Sequence, residues 1–596
     1  LATAGTQIQS ITESGANDGL SAAAAPKLRV GVIVAGQSLQ AWQADALKAL
    51  IDSSDAGVEF VVLVEPDRAT ADTGAEAPWL WRQCLRRIAK RRPDFALAPR
   101  ALASVFDAGL PVVAATGGDN TRQHLPDAAV DAIRTHEPDF IVSFADAPFG
   151  TEMAALAKHG VWRYRLGTRD DGVADPPGFW EIYHGDVTVG LTLERVVADQ
   201  PGVRVLRRGA VKTARYSYAK TLNRLGQVAG HWLWQCAREI RLNGGLQHGE
   251  IAATRVYRRP STVQVCVLGA RVLSGLIGAL LDKAFYIDQW SIGVARVPVE
   301  SFIADPQKIR FDWIRAKRRV EFVADPFVCE DDGLNIYCEY LDHWVGVGEI
   351  AVLRKQDGFA VDARKTVISD GSHFSYPYVI RQDDGVLVVP ENHAKSRVIA
   401  YRFGAAGDDR PSATHDLLDG GDYVDATFLF HGGRYWCFVS RVDRGGEQNL
   451  YLYYADELLG RYQPHPLNPV KSDVRSSRPA GRIIRLGDRI LRPAQNCAAT
   501  YGGSLVINEV LELTPERYRE REVMEVTPDM LGGSPDGCHH LEHADDHVVV
   551  DSKRIVFHPM AWWFVLRDKL RARATALLVV YGSAASVAAQ MIEPLV

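Results

Sequence analysis

Asp325, Tyr376, Asp425, Arg478 and His539 recur about every fifty residues along the second half of this 596-residue chain. Each sits at the opening of a strand-like run. The matching returning runs end near Glu339, Glu391, Arg441, Gln495 and Asp551. Ten aligned positions are thus almost all charged or polar, beside residues that read as buried strand. Carboxylates brought together in this way can accept and return protons, and guanidiniums can pair a carboxylate or phosphate with two parallel hydrogen bonds. Asp325 is the candidate general base, with Glu391 or Asp425 as its acid partner. Arg441 and Arg478 are candidates to hold an anionic group. Tyr376, Gln495, His539 and Glu339 complete the candidate binding surface.

The elements that must position them are hairpins. "ADPFVCEDDGLNIYCEYLD", "SYPYVIRQDDGVLVVPEN", "VDATFLFHGGRYWCFVSR", "SRPAGRIIRLGDRILRPAQN" and "CHHLEHADDHVVVDSKR" share one plan: a strand, a tight turn rich in Asp, Gly or His, and a returning strand. Further strands lie between them, for example "VGEIAVLRK" and "QNLYLYYAD". A repeat about four strands long predicts a propeller, and five repeats predict five blades. The innermost strand of each blade begins near the central axis, and its partner returns to the same end. The ten positions should therefore crowd one mouth of the central channel, a concave place for convergent polar groups. "DQWSIGVARV" (288–297), ahead of the first hairpin, should add a strand to the last blade and close the ring.

The first third reads differently. "KLRVGVIVAG", "VEFVVLVEP", "LPVVAATGG" and "PDFIVSFA" are short apolar runs separated by helical stretches, the pattern of a doubly wound α/β domain. No G-x-G-x-x-G follows the first strand, so a dinucleotide site is not supported. The sequence divides into a disordered lead (1–26), the α/β domain (27–212), a helical connector (213–286), the propeller (287–558) and a helical tail (559–596).

From "PDFIVSFA" to "HGDVTVGLTL", the α/β domain resembles the folate-dependent formyltransferases over about 27–212. That resemblance implies a catalytic Asn-x-His and a later Asp. Arg163 and Arg165 stand at the Asn and His, and Val203 at the Asp. Arginine keeps its charge and is a poor base. The domain is expected not to transfer formyl groups by that mechanism. It is read either as a scaffold for its neighbour or as a cleft in which Arg163, Arg165 and Arg169 bind a phosphate or carboxylate.

In the propeller, "ADPF" resembles family-43 glycoside hydrolases, where an Asp at that place implies the general base and the next two blades imply an Asp and a Glu. Asp325 matches, but the second blade offers Tyr376 and the third Asp425. A broader resemblance covers about 287–556. "FVADPF", "HFSYPYV", "VPEN", "SSRPAGR", "LRPAQNC", "YGGSL" and the "HHL" to "VVVD" close are similar to the N-terminal propeller of plant glucosamine inositolphosphorylceramide transferases. It implies a glycan or glycolipid setting and supplies no reaction.

Composition narrows the partners. A net charge of -5 gives no basis for nucleic-acid binding. Eight scattered Cys without a C-x-x-C pair suggest reduced thiols, a cytoplasmic setting and no zinc ribbon; no metal or cofactor is expected. Two apolar segments bear on membranes. "VQVCVLGARVLSGLIGALL" (263–281) carries Arg271 at its middle and reads as a helix packed between domains or lying on a membrane surface. The tail "AWWFVLRDKLRARATALLVV" reads as packed on the body or interfacial. The sequence thus predicts a carbohydrate-active protein of glycan or glycolipid biosynthesis, taking a glycan or sugar-phosphate in the propeller mouth. The alternatives are a non-catalytic glycan-binding scaffold and a sugar formyltransferase or other acyl transferase.

Overall fold

The computed structural model describes residues 26–571, apart from 65–77, 116–124, 146–150, 197–202, 247–259 and a few positions at 93, 126, 170–171, 174–175, 332, 407 and 545. The expected disordered lead and most of the helical tail lie outside the described residues.

The α/β domain is built on seven strands: β1 (Leu28–Ala35), β2 (Ala56–Val64), β3 (Val112–Ala115), β4 (Phe140–Ser143), β5 (Val161–Arg169), β6 (Thr188–Val196) and β7 (Val203–Lys212). Their order is β7-β6-β5-β4-β1-β2-β3, with a short strand appended to β5. Strands β3, β2, β1, β4 and β5 run parallel; β6 pairs antiparallel to β5, and β7 antiparallel to β6. Continuous apolar runs suit strands covered on both faces. Val30, Val32, Ile33, Phe140 and Val142 are fully buried.

Helices α1 (Ala41–Asp52), α2 (Trp79–Arg91), α3 (Phe179–His184) and α4 (Tyr218–Asn243) accompany this sheet. The Ser217 hydroxyl caps the start of α4 by accepting from the Lys220 amide, and Gly244 ends it in the left-handed conformation. The sequence reads α4 as a connector. In the structure Leu222, Leu225, Val228 and Leu233 join the core of the α/β domain. Its other flank clamps the propeller: Gln235 Nε2 donates to the carbonyls of Leu467 and Pro469 at 2.9 Å each. Edge strand β7 adds a parallel bridge between Ala210 and Asp473.

Helix α5 (Thr262–Phe285) opens with a capping box between Ser261 and Gln264. It is not sandwiched between domains. Only one face packs against α2 and α3, and in the stretch apolar enough to cross a membrane only 11% is buried.

Strand β8 (Tyr286–Ala295) follows α5 directly. The remaining strands form the five blades. Blade one is Glu321–Asp331, Gly333–Asp342, Gly348–Arg354 and Lys365–Ile368; blade two is Ser375–Gln382, Gly385–Glu391, Arg397–Phe403 and Ala413–Asp419. Blade three runs from Tyr423–His431 and Arg434–Arg441 outward, and blade four from Ile484–Leu486 to Tyr518–Val526. Blade five joins Leu541–Ala544 and His547–Phe557 to β8 and Asp312–Ile314. Ten residues of β8, from Tyr286 to Ala295, pair antiparallel with Phe557 to Val548, so a strand preceding the first blade completes the last. The fold is therefore a doubly wound α/β domain followed by the five-bladed propeller that the repeats predict.

Candidate functional site

Three blades open with the same backbone device. The register slips between Ala324 and Phe327, between Ser375 and Tyr378, and between Val424 and Thr427. Within these bulges Asp325, Tyr376 and Asp425 take positive φ values of 50°, 44° and 57°. Left-handed backbone costs a non-glycine residue of order 1–3 kcal/mol and re-aims its side chain. Asp tolerates it through local hydrogen bonding; Tyr does not. Tyr376 is held there by its hydroxyl, which lies 2.7 Å from Thr427 Oγ1 and accepts from the Gly481 amide at 2.7 Å. Gly481 itself has φ +107°, and a Cβ there would meet the Leu541 carbonyl at 2.0 Å. Tyr376 is fully buried, so it braces blades two, three and four, and its amide donates to Asp325 Oδ2 at 3.3 Å.

Arg478 is the hub of the acidic cluster. Its guanidinium makes a two-point contact with Asp425, through Nε to Oδ2 and Nη2 to Oδ1, and Nη2 lies 3.6 Å from Glu391 Oε2. Gln495 Nε2 donates to Asp425 Oδ2 at 2.9 Å. The Arg478 guanidinium also lies over the Tyr501 ring, 5.0 Å from its centre. Arg478 is therefore already neutralised by two carboxylates. Arg441 is engaged elsewhere: it pairs with Asp443 at 2.9 Å, donates to the Gly420 carbonyl and packs on Tyr423. Both arginines expected to hold an anion are thus already paired with carboxylates of the chain.

Beside the hub stands a carboxylate–imidazole–carboxylate row. His539 Nδ1 lies 2.5 Å from Asp551 Oδ2, and its Nε2 lies 3.5 Å from Asp325 Oδ1. The amides of His539 and His540 both donate to Asp551 Oδ1, at 2.9 and 3.0 Å. Trp290 of β8 stacks on the His539 ring at 3.9 Å, so the ring-closing strand also fixes the imidazole. Asp325, His539 and Asp551 bring ligand atoms within 4.8 Å of one another and could hold a divalent cation. Asp551 Oδ1 is taken by the two amides, whereas buried His539 Nδ1 has no partner in hydrogen-bond geometry despite its closeness to Asp551 Oδ2. Glu330, Asp546 and His547 form a second such group on the rim.

The environment divides the carboxyls. Burial pushes Asp325 up, but His539, His540 and Arg478 outweigh it and hold the group below the usual carboxylate range. Burial likewise opposes Glu391, and His393, Arg478 and Asp425 bring it down. Glu339 is raised well above the ordinary value by burial and by Asp325, Glu391, Asp425 and Asp551. Asp425 is pushed up to about 8 by burial and by Glu391 and Asp325, against the pull of Arg478. Both carboxyls lie against the Arg478 guanidinium, so the proton load of one bears on the other. Burial works against charge on His539, yet Asp551 and Asp325 raise it.

Exposure grades inward. The side chains of His393 and His373 are 46% and 37% exposed, Arg478 is 12% and Asp425 3% exposed. His393 Nδ1 lies 3.6 Å from Glu391, and His373 Nε2 lies 3.4 Å from Glu339. The aligned positions did not reveal His373, His393 and His540. Their signals were local: "SHF" just before one inner strand, "ENH" just after its partner, and the "HH" doublet. A cavity of about 530 Å³ lies elsewhere, lined by Trp313, Arg315 and Phe359.

In the α/β domain, Glu194 Oε2 accepts from Arg163 Nε at 3.1 Å and from Arg165 Nε at 2.7 Å. Val203 is buried at the start of β7. The Arg169 side chain lies outside the described residues.

Residues 301–544 match the family described as "Glucosamine inositolphosphorylceramide transferase 1, N-terminal". The transferase of that name from Oryza sativa subsp. japonica is 29% identical over 206 residues, 33% of this chain and 27% of the rice protein. The one from Arabidopsis thaliana is 27% identical over 209 residues, 34% of this chain and 27% of that protein. The match thus spans about a quarter of these curated relatives. Among solved structures, phosphoribosylglycinamide formyltransferase from Anaplasma phagocytophilum overlays at TM-score 0.25 and 16% identity, covering 39% of this chain and all of that one. A family-43 β1,3-galactosidase overlays at 0.27 and 11% identity, covering 36% of this chain and 81% of that one. Neither overlay is close enough to bear on function.

Proposed function

We propose that this chain is a carbohydrate-active protein of glycan or glycolipid assembly whose glycan sits at the propeller mouth. What supports this is one cluster of carboxyls gathered around Arg478 and His539, in which Asp325 is held below the usual carboxylate range while Glu339 and Asp425 are pushed above it. Carboxyls pushed apart in this way mark acid and base roles. Asp325 is the base that takes a proton from an acceptor hydroxyl or water. The Glu391–Asp425 pair is the acid that gives one to the leaving oxygen. Inversion at the sugar carbon needs base and acid on opposite sides of the ring. Asp325 and Asp425 come from blades one and three.

Arg478 acts within the cluster and keeps the Glu391–Asp425 pair in place. Because Arg478 is already paired with Asp425 and Glu391, its charge is not free for a phosphate, and the mouth suits a neutral or amine-bearing sugar better than a sugar-phosphate. An amino sugar is consistent with the glucosamine in the plant relatives' name. Peripheral contact with a membrane, where a glycolipid would be met, belongs to the same proposal.

A second reading, glycan binding without turnover, is favoured by the Arg478 clamp on Asp425 and by Tyr376 in place of a second-blade carboxylate. Asp325→Asn separates the two. With turnover, the rate on activated glycosyl donors falls by roughly 10²–10⁴ while affinity holds. With binding alone, only affinity changes and no donor is consumed. Calorimetric titration of the full chain with neutral, amine-bearing and phosphorylated glycans tests the ligand class. If no glycan of any class binds, or if Asp325→Asn and Glu391→Gln together leave binding and turnover untouched, the mouth is not the site.

A further inference from the structure

Among the described residues, many of the exposed large apolar side chains gather on α5 and the propeller edge beside it. On α5, Val265 and Leu268 are buried in the α/β core and Val272 packs against it. The opposite stripe is bare: Val263, Leu273, Ile277, Leu280 and Leu281 are between 50% and 72% exposed. At the end of α5 the patch continues onto the propeller. Phe285 stacks on Phe557 at 6.1 Å, and the His558 amide donates to the Phe285 carbonyl. His558 in turn faces Trp344 and Phe564, which anchor a helical segment over 561–571. That segment presents Trp562, Trp563, Leu566 and Leu570 outward. Its Arg567 and Arg571 donate to the carbonyls of His343, Trp344 and Val345, so it is fastened to blade one.

We infer that this continuous face docks the protein on the surface of an anionic lipid bilayer, with α5 lying in the membrane plane. A spanning arrangement conflicts with the packing of α5. Arg271, near its middle, stacks on Tyr183 of α3 at 5.1 Å, and Gly275 passes so close to the Arg215 carbonyl that a Cβ would meet it at 2.9 Å. Protein thus covers one side of α5 at mid-length, where a spanning helix would need hydrocarbon. An apolar stripe with aromatics at its end and cations at its margin is the composition of an interfacial helix, sunk about 5–10 Å into the headgroup boundary. Exposed Lys283, Arg554, Lys569 and Arg571 border the patch against Asp282 and Asp568. This surplus of positive charge matches anionic headgroups, and it opposes a second copy of the same face, which would bring like charges together. The inference deepens the proposed membrane contact and does not depend on the reading of the mouth.

The test is flotation of the full chain with phosphatidylcholine vesicles, with and without phosphatidylserine, and with no glycan present. Binding is expected to the anionic vesicles and to weaken with salt. Ile277→Glu with Leu280→Glu should lower it at least ~10-fold. Both positions face solvent, so the thermal midpoint should hold. Lys283→Glu with Lys569→Glu should erase the preference for phosphatidylserine. Cys266 is an exposed cysteine at the far end of α5. A polarity-sensitive dye there, or at Leu280→Cys in a Cys266→Ser background, should report the same shallow depth. Different depths at the two ends would replace docking with spanning. Absence of flotation, or a dimer in sedimentation that Ile277→Glu dissolves, would overturn the proposal, the latter in favour of a second copy.

Discussion

Glu194 and Arg478 invert each other. In the α/β domain one carboxylate holds two guanidiniums, Arg163 and Arg165. In the propeller one guanidinium holds two carboxylates, Asp425 and Glu391. Both groupings are largely buried and well bonded, yet their chemistry differs. The first leaves surplus positive charge on groups that do not give up protons near neutral pH. Burial and Arg165 lower Arg163, but it starts far above the useful range. The second leaves surplus carboxylate, and carboxyls answer crowding by sharing protons. On the proposed reading, acid–base chemistry belongs to the propeller, and the arginine pair is a fixed charge.

The largest effect that tests this contrast is the fall of roughly 10²–10⁴ in turnover for Asp325→Asn. Arg165→Lys measured alongside it should leave turnover unchanged. A comparable loss in both would remove the contrast.

Next come the two inverted pairs themselves. Glu194→Gln strands two arginines, and should cost about 3 kcal/mol, the low end for a broken buried pair because both keep some water. That cost should vary little from pH 5 to 8. Arg478→Ala strands carboxyls that can take up protons, so its cost should shrink as pH falls. Parallel denaturant titrations at the two pH values would show it; equal pH dependence for the two variants would contradict the scheme.

A smaller effect is expected at Glu339. Its folded-state pKa is raised, so the folded protein binds the proton more tightly than the unfolded chain. That stability is fully present below the unfolded value of about 4.3 and is lost as pH rises through the folded pKa. Glu339→Gln keeps the neutral shape and removes the loss. Its melting temperature should exceed that of the wild type by a few degrees, on a scale of about 2–4 °C per kcal/mol, and the gap should widen with pH. The smallest effect is Arg441→Lys: its partners all lie in blade three, so glycan affinity measured by calorimetry should change less than about twofold, though blade three should soften.

The sequence carried the ring itself well. A fixed spacing of like hairpins is a geometric statement, because strands with the same alternation and turn must present the same residues to the axis. Asp325, Glu391, Asp425 and Arg478 were legible for that reason. Which of them would pair was not, since the Arg478–Asp425 contact spans 53 positions and is chosen by distances between blades. Tyr376 read as a lining residue because its place in the repeat matched. Only the backbone at φ 44° and the hydroxyl's two partners show it turned into the wall. Helix α5 was half legible: its length and apolarity stand in the sequence, but periodicity says nothing about what covers a stripe.

The seam between β8 and the strand His547–Phe557 has a further consequence, in the order of events during synthesis. Contacts that join residues so far apart in sequence form late, after the local hairpins of the intervening blades. Trp290 of β8 and Asp551 of the partner strand are the two residues that grip His539. The proton-handling row therefore takes shape only when the seam is stitched. A chain arrested before that strand would carry most of its blades and the Arg478 cluster, but not the Asp325–His539–Asp551 row.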